Sequence, residues 1–109
     1  MDAFDMSEIV GGHGHNGQLY HEFFKAARLS VGFYVLGVGM QDPQIPHTED
    51  EIYYIVSGAG AIDVAGEHRP VSVGSVIYVG AHVDHRFHSI TEELSIIVVF
   101  APPRGSLKT

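Results

Sequence analysis

The amino-acid sequence predicts an all-β protein, a sandwich or a barrel, because many short strand-like runs alternate with turns that contain glycine or proline. A length of 109 residues is typical of one domain. The sequence has no convincing long helical pattern. It also has no cysteine, which excludes disulfide bonds and thiolate metal ligands. We therefore expect one hydrophobic core that closes without covalent cross-links.

The charge balance narrows the range of partners. The formal net charge is −7, and an acidic surface repels phosphate backbones, so we do not expect nucleic acid as a partner. No apolar run approaches the ~18 residues needed to span a bilayer, so no membrane association is expected. Residues 1–6 carry acidic side chains where a signal peptide would carry basic ones. Together these features favour a cytoplasmic protein.

Residues 1–28 are predicted to be an N-terminal segment that is partly flexible and packs on the main domain. Within it, the glycine-rich stretch 11–17 contains His13 and His15. We interpret this stretch as a mobile loop and not as a metal site, since glycine-rich backbone holds ligands poorly. Residues 19–27 are compatible with either a short helix or an irregular strand.

The β domain is predicted to cover residues 29–101, and it begins with a strand of alternating polarity that indicates one buried face. The apolar residues of that face would be Leu29, Val31, Phe33 and Val35. Residues 40–46 are predicted to be a loop because two prolines block regular pairing. Residues 51–56 are rich in β-branched and aromatic side chains, which favour a strand.

The remaining strands are shorter and are separated by glycine-containing turns at residues 57–60 and 65–68. They are predicted at residues 61–64, 75–79, 85–89 and 94–100. Residues 102–109 form a polar tail. Candidates for the barrel lining are Phe33, Val35, Tyr53, Ile55, Val76, Tyr78 and Phe87.

Histidine and acidic residues precede one apolar strand, and further histidines follow another. Residues four apart share a face of a strand, so His47 and Glu51 can point the same way. His85, at the end of a neighbouring strand, is the natural third ligand. Imidazole and carboxylate groups together suit a divalent transition metal, with the remaining positions open to water or substrate.

These residues resemble two motifs of the cupin superfamily, which consists of small β-barrels of the jelly-roll kind. The first motif runs Gly-x5-His-x-His-x3-4-Glu-x6-Gly, and the spacing of His47, Glu51 and Gly58 matches its second half. The second runs Gly-x5-Pro-x-Gly-x2-His-x3-Asn. The residues in register with it are Gly74, Gly80, Ala81, His82, His85 and Ser89.

The resemblance covers about residues 29–100 and implies a single-domain cupin-like jelly-roll β-barrel. It also implies that His47, Glu51 and His85 are metal ligands. The chain departs from the motif at Ile45, which stands in the place of the first histidine and cannot bind metal. The adjacent Gln44 is a possible fourth ligand if a bulge turns it inward.

Two histidines and one carboxylate look like the facial triad of non-haem iron enzymes, and equally like a degraded metal site. The resemblance implies Fe, Mn, Ni or Zn without choosing among them. The function it suggests is that of a small-molecule oxygenase or isomerase. The alternative is a non-catalytic module that binds or senses a small ligand. Whether the protein is an enzyme stays open, because this fold hosts many functions.

Other residues near the motifs have side chains that suit a ligand site. Tyr53 and Tyr78 have hydroxyl groups that could reach a ligand, and His82 could line the barrel mouth as an acid or base. These three are the catalytic candidates. Glu49 shares the parity of the ligands but is read as a loop residue. The apolar strands and the small size of the protein favour a homodimer. A small-molecule ligand or substrate is the other expected partner.

Overall fold

The computed structural model describes residues 1–12 and 19–107 as one antiparallel β-sheet preceded by a short helix. The strand order is β1-β2-β6-β3-β4, and β5 pairs with the first part of β3. The prediction of an all-β protein is confirmed; closure into a jelly-roll barrel stays a prediction. The elements are α1 (Met6–Gly12), β1 (Tyr20–Lys25), β2 (Ser30–Leu36), β3 (Asp50–Val64), β4 (Glu67–Ser72), β5 (Val76–Val79) and β6 (His85–Ala101).

The two longest strands continue where the sequence predicts a break. β3 runs through the turn predicted at residues 57–60, and β6 joins the two strands predicted at residues 85–89 and 94–100. The glycine at position 58 bends β3 without ending it. Gly58 has a φ of 97°, and a Cβ there would collide with the carbonyl oxygen of Glu93. The pairing of β3 with β6 shifts register three times around this point.

This bend lets the sheet curl back on itself. Val64, at the far end of β3, pairs with His85 of β6, whereas Glu51 pairs with Phe100. A flat strand would hold Glu51 and Val64 about 40 Å apart. Nevertheless, the side chains of Glu51 and His85 approach to 3.0 Å. The curl therefore brings opposite ends of the sheet together.

The core face of β2 is the opposite of the predicted one. Alternate residues from Ser30 to Leu36 are buried, and both Tyr34 and Leu36 belong to the core. Val31 lies on the other face, which the N-terminal segment covers through contacts that include Phe4. Both faces of β2 are therefore largely buried, so the alternation of apolar residues did not identify the core side.

Four of the residues predicted to line the core are buried, namely Phe33, Tyr53, Ile55 and Phe87, and the last three belong to the main core cluster. Val76 and Tyr78 lie instead on the outer face of β5, where their exposed fractions are 60% and 61%. The full core cluster is Tyr34, Leu36, Tyr53, Ile55, Ile62, Val71, Val79, Phe87, Ile90, Leu94, Ile96, Val98 and Phe100.

The N-terminal segment contributes a strand to the sheet. Residues 20–25 form β1, which pairs with β2, so the undecided region is a strand. The interpretation of His13 and His15 as loop residues lies outside the described part of the chain. No helix within residues 1–12 and 19–107 is long and apolar enough to cross a membrane.

Candidate metal centre

Three residues predicted to meet from distant parts of the chain lie together. His47 belongs to the loop before β3, Glu51 to the start of β3, and His85 to the start of β6. One potential ligand atom from each lies within 4.8 Å of the others. The side chains of Glu51 and His85 are almost completely buried, and that of His47 is half-buried. The curl of the sheet thus converts motif spacing into one compact group.

The contact between His85 and Glu51 joins two hydrogen-bond acceptors when the imidazole is neutral. Nδ1 of His85 lies 2.9 Å from the carbonyl oxygen of Val83, and because a carbonyl can only accept, Nδ1 must be the donor. In the neutral imidazole, Nε2 therefore has a lone pair. That atom faces Oε1 of Glu51 at 3.0 Å. Neither Nε2 of His85 nor Oε2 of Glu51 has a hydrogen-bond partner among the described residues.

Two lone pairs at this distance need a positive charge between them. A proton can supply it, and burial, which alone would lower the pKa of His85, is outweighed by Glu51 and the Val83 carbonyl, so that this pKa is raised. A metal ion can supply it equally well. Donor atoms about 3 Å apart are adjacent ligands around a metal at bond lengths of about 2.1 Å. The donor set therefore fits a divalent transition metal.

His47 is the half-exposed member of the group. Its ring lies with its centroid 5.6 Å from that of His85, and it packs edge-on against Phe100 at 5.0 Å. Burial lowers the pKa of His47, although Glu51 opposes the effect. The lowered pKa favours the neutral imidazole, which is the form that binds metal.

Gln44 occupies the space that Ile45 leaves open. Residues 37–49 form no strand, so strict alternation does not apply, and Ile45 points outward with an exposed fraction of 66%. Nε2 of Gln44 donates to Asp42, which directs Oε1 into the group. That oxygen accepts from the Tyr53 hydroxyl at 2.8 Å and lies 3.3 Å from Nε2 of His47.

Asp42 is a buried carboxylate that the sequence analysis missed. Its side chain accepts hydrogen bonds from the Tyr34 hydroxyl at 2.7 Å and from the Phe87 backbone N–H at 2.9 Å. It also holds the backbone and the amide of Gln44. An aspartate followed by a proline in a loop is typical of a solvated turn, so the sequence contains no signal for this role.

Glu49 has a structural position distinct from the three grouped residues. It is buried, and it accepts hydrogen bonds from Gly105 N–H at 2.8 Å and Leu107 N–H at 3.2 Å. The Thr48 hydroxyl also donates to it. Burial alone would raise the pKa of Glu49, but these bonds lower it. Its role is to anchor the C-terminal segment, not to lie in a solvated loop.

The catalytic candidates are placed differently from one another. Tyr53 is buried beside the group, and its hydroxyl is engaged by Gln44. Tyr78 points outward, so it does not face the group. His82 is exposed, and its backbone N–H donates to the His47 carbonyl at 2.7 Å. His82 therefore supports the loop that carries His47.

A second group of polar side chains lies on the outer surface. His88 and His68 each approach Oδ1 of Asp63, at 3.0 Å and 2.9 Å. Hydrogen bonds from these two histidines lower the pKa of Asp63. The carboxylate is half exposed, in contrast to the buried Glu51.

A cavity of about 210 Å³ opens beside His47 and Gln44. Its walls are largely apolar and aromatic, and Arg104 lies at its edge. The lining consists of Leu19, Tyr20, Tyr34, Pro43, Gln44, Ile45, His47, Val98, Phe100 and Arg104. An apolar pocket with a few polar groups is the usual form of a small-molecule site.

The chain belongs to the cupin domain family, whose pattern matches residues 32–100. It is 45% identical over 105 residues to the uncharacterized protein SCO3923 of Streptomyces coelicolor, covering 96% of this chain and 100% of that protein. The match spans the N-terminal segment, the sheet and the tail.

Solved structures of low sequence identity share the fold. The Bacillus halodurans protein BH2720 superimposes with a TM-score of 0.78 at 15% identity, covering 94% of this chain and 81% of that one. An RmlC-like cupin of Methanocaldococcus jannaschii, described as a double-stranded β-helix, gives 0.70 at 18% identity, covering 83% and 84%.

Proposed function

We propose that this cupin binds one divalent transition metal through His47, Glu51 and His85. The observation that carries the proposal is the position of the buried Nε2 of His85, which lies 3.0 Å from a Glu51 oxygen and has no other partner among the described residues. Fe, Mn, Ni or Zn would supply Lewis-acid chemistry or, for iron, dioxygen activation to a small molecule in the adjoining cavity.

The surrounding residues would orient the ligands. The Val83 carbonyl fixes the tautomer and the ring plane of His85. Asp42 and Tyr53 hold the amide of Gln44 with its oxygen towards His47, and we propose this oxygen as the fourth ligand. An amide oxygen would thus occupy the place left by the missing histidine of the first motif.

Oxygenation or isomerisation of a small oxygen-bearing molecule is the reaction class that we favour. The hydroxyls of Tyr34, which lines the cavity, and of Tyr53, beside the proposed metal centre, are poorly suited to proton transfer, because burial raises the pKa of both and each donates a hydrogen bond. Polarisation of the substrate would therefore fall to the metal centre, which faces the cavity at His47.

The hydrogen-bonded hydroxyls of Tyr34 and Tyr53 favour a second candidate, a non-catalytic module that binds a small ligand. The apolar walls of the cavity suit recognition of a ligand as well as they suit chemistry. Ligand binding that persists unchanged in the His47→Ala variant would favour this module over the metal-dependent enzyme.

Metal titration of protein purified without an affinity tag tests the main proposal. After treatment with a chelator, the protein should bind one equivalent of Mn(II), Ni(II) or Zn(II) tightly by calorimetry. Binding should release protons and weaken as the pH falls, because the metal replaces the proton between His85 and Glu51. No tight stoichiometric binding of these metals or of Fe(II) would contradict the proposal.

We also propose a homodimer formed through the outer face of β3 and β5. Large apolar side chains of this face pair across the strands, Ile52 with Tyr78 and Tyr54 with Val76, and all four are exposed. Light scattering should show a dimer that Tyr78→Glu dissociates, whereas the exposed Val73→Glu outside this pairing should not. A monomeric wild-type protein at micromolar concentration would contradict the dimer.

The cytoplasmic location stays a prediction.

A further inference from the structure

Among the described residues, one cation lines the cavity beside the proposed metal centre. The guanidinium of Arg104 lies 4.8 Å from the centre of the Tyr20 ring and 6.0 Å from that of Phe100. These distances allow cation–π contact, which places the charge against an apolar wall. The polar composition of residues 102–109 predicted only a tail and contains no signal for this position of the arginine.

The backbone that carries Arg104 is held in place. Its N–H donates to Oγ of the buried Ser30 at 2.9 Å. The next turn is tied to the buried carboxylate of Glu49 through the N–H groups of Gly105 and Leu107. Because Glu49 lies two residues from both His47 and Glu51, this anchor also fixes the arginine relative to the ligands.

The cation at the cavity has no anionic partner within the described chain. No carboxylate of residues 1–12 or 19–107 forms an ion pair with Arg104. Arg104 is exposed, so its guanidinium is accessible to an incoming anion. The Tyr20 ring lies under the guanidinium, whereas the Tyr20 hydroxyl is buried against Gly32 and does not face the cavity.

We propose that the cavity binds a small carboxylate whose charged end pairs with Arg104 while its other end faces the metal centre at His47. This inference rests on the proposed function and names its substrate class. A guanidinium matches a carboxylate through two parallel hydrogen bonds. The apolar walls and the volume of about 210 Å³ fit a compact carbon skeleton.

A carboxylate fits better than a phosphate monoester. A phosphate has close to two negative charges and three acceptor oxygens, and it is usually held by several cations or by a helix N-terminus. Among the lining residues that the structure describes, Arg104 is the one with a permanent positive charge. One cation matches a single negative charge.

The test compares benzoate, phenylacetate and butanoate with the neutral benzamide and with phenyl phosphate. Dissociation constants would be measured by calorimetry or NMR titration, with metal-free and Zn(II)-loaded protein. We expect at least one carboxylate to bind, benzamide to bind more weakly than benzoate, and Arg104→Gln to weaken the carboxylate about tenfold. Arg104→Lys should retain part of the affinity, and Arg86→Gln, at an exposed arginine outside the cavity, should leave it unchanged.

The outcomes separate this inference from the proposed function. Stoichiometric metal binding should persist in Arg104→Gln, because Arg104 is not one of the proposed ligands, so failure of metal binding concerns the proposed centre alone. The carboxylate inference is overturned if none of the three acids binds at about 10 mM. Equal binding to wild type and Arg104→Gln, or tighter binding of phenyl phosphate than of benzoate, would overturn it as well.

Discussion

Replacement of His85 by alanine should abolish tight metal binding. We expect the affinity for Zn(II) or Ni(II) to fall by more than about 100-fold, since loss of a residue that only supports a ligand already costs 10- to 100-fold. The substitution removes the imidazole whose buried Nε2 faces Glu51. Competition against a chromophoric chelator would measure the change.

The matched control is His88→Ala. His88 belongs to the exposed group around Asp63, so its removal should leave the tight site intact. If His88→Ala loses the metal while His85→Ala keeps it, the metal binds at the outer surface and the proposed centre is wrong. Circular dichroism of both variants would establish that the loss does not come from unfolding.

Replacement of Asp42 by alanine should destabilise the protein by about 3 kcal/mol, because buried hydrogen-bond donors then lose their acceptor. The Tyr34 hydroxyl and the Phe87 N–H both depend on this carboxylate. Urea unfolding would measure the free energy. We also expect metal affinity to fall about tenfold, since the amide of Gln44 loses the partner that orients it.

Asp50→Ala serves as the control for this second prediction. Asp50 is exposed and accepts a hydrogen bond from the Ala81 N–H, so its loss should cost under about 1 kcal/mol. Asp42→Asn keeps the shape of the side chain but replaces an acceptor by a donor, so we expect it to be destabilised too. Equal stability of Asp42→Ala and Asp50→Ala would show that the buried network contributes little.

Two aspects of the molecule followed from local sequence patterns. Runs of β-branched and aromatic residues between glycine turns predicted an all-β fold, because strand preference depends mainly on near neighbours. The two cupin-like motifs predicted that His47, Glu51 and His85 would meet, and the structure brings them within 4.8 Å. Their role as metal ligands stays a prediction.

The errors came from features that depend on distant residues. The glycine stretch at 57–60 contains the same residue types as a turn, and the approach of Glu93 to Gly58 makes it a bend within β3. The outer face of β2 is apolar because the N-terminal segment packs on it. Neither partner is near in sequence, so neither could be inferred from the local pattern.

The sequence by itself determined the strands and the spacing of three potential ligands, because side chains alternate regularly wherever the backbone is extended. Only the tertiary structure decided the irregular parts. Gln44 turns inward because Asp42 holds its amide, and Arg104 reaches the cavity because Glu49 anchors the segment behind it. Loops have no fixed side-chain period, so their orientation is set by buried hydrogen bonds to residues far along the chain.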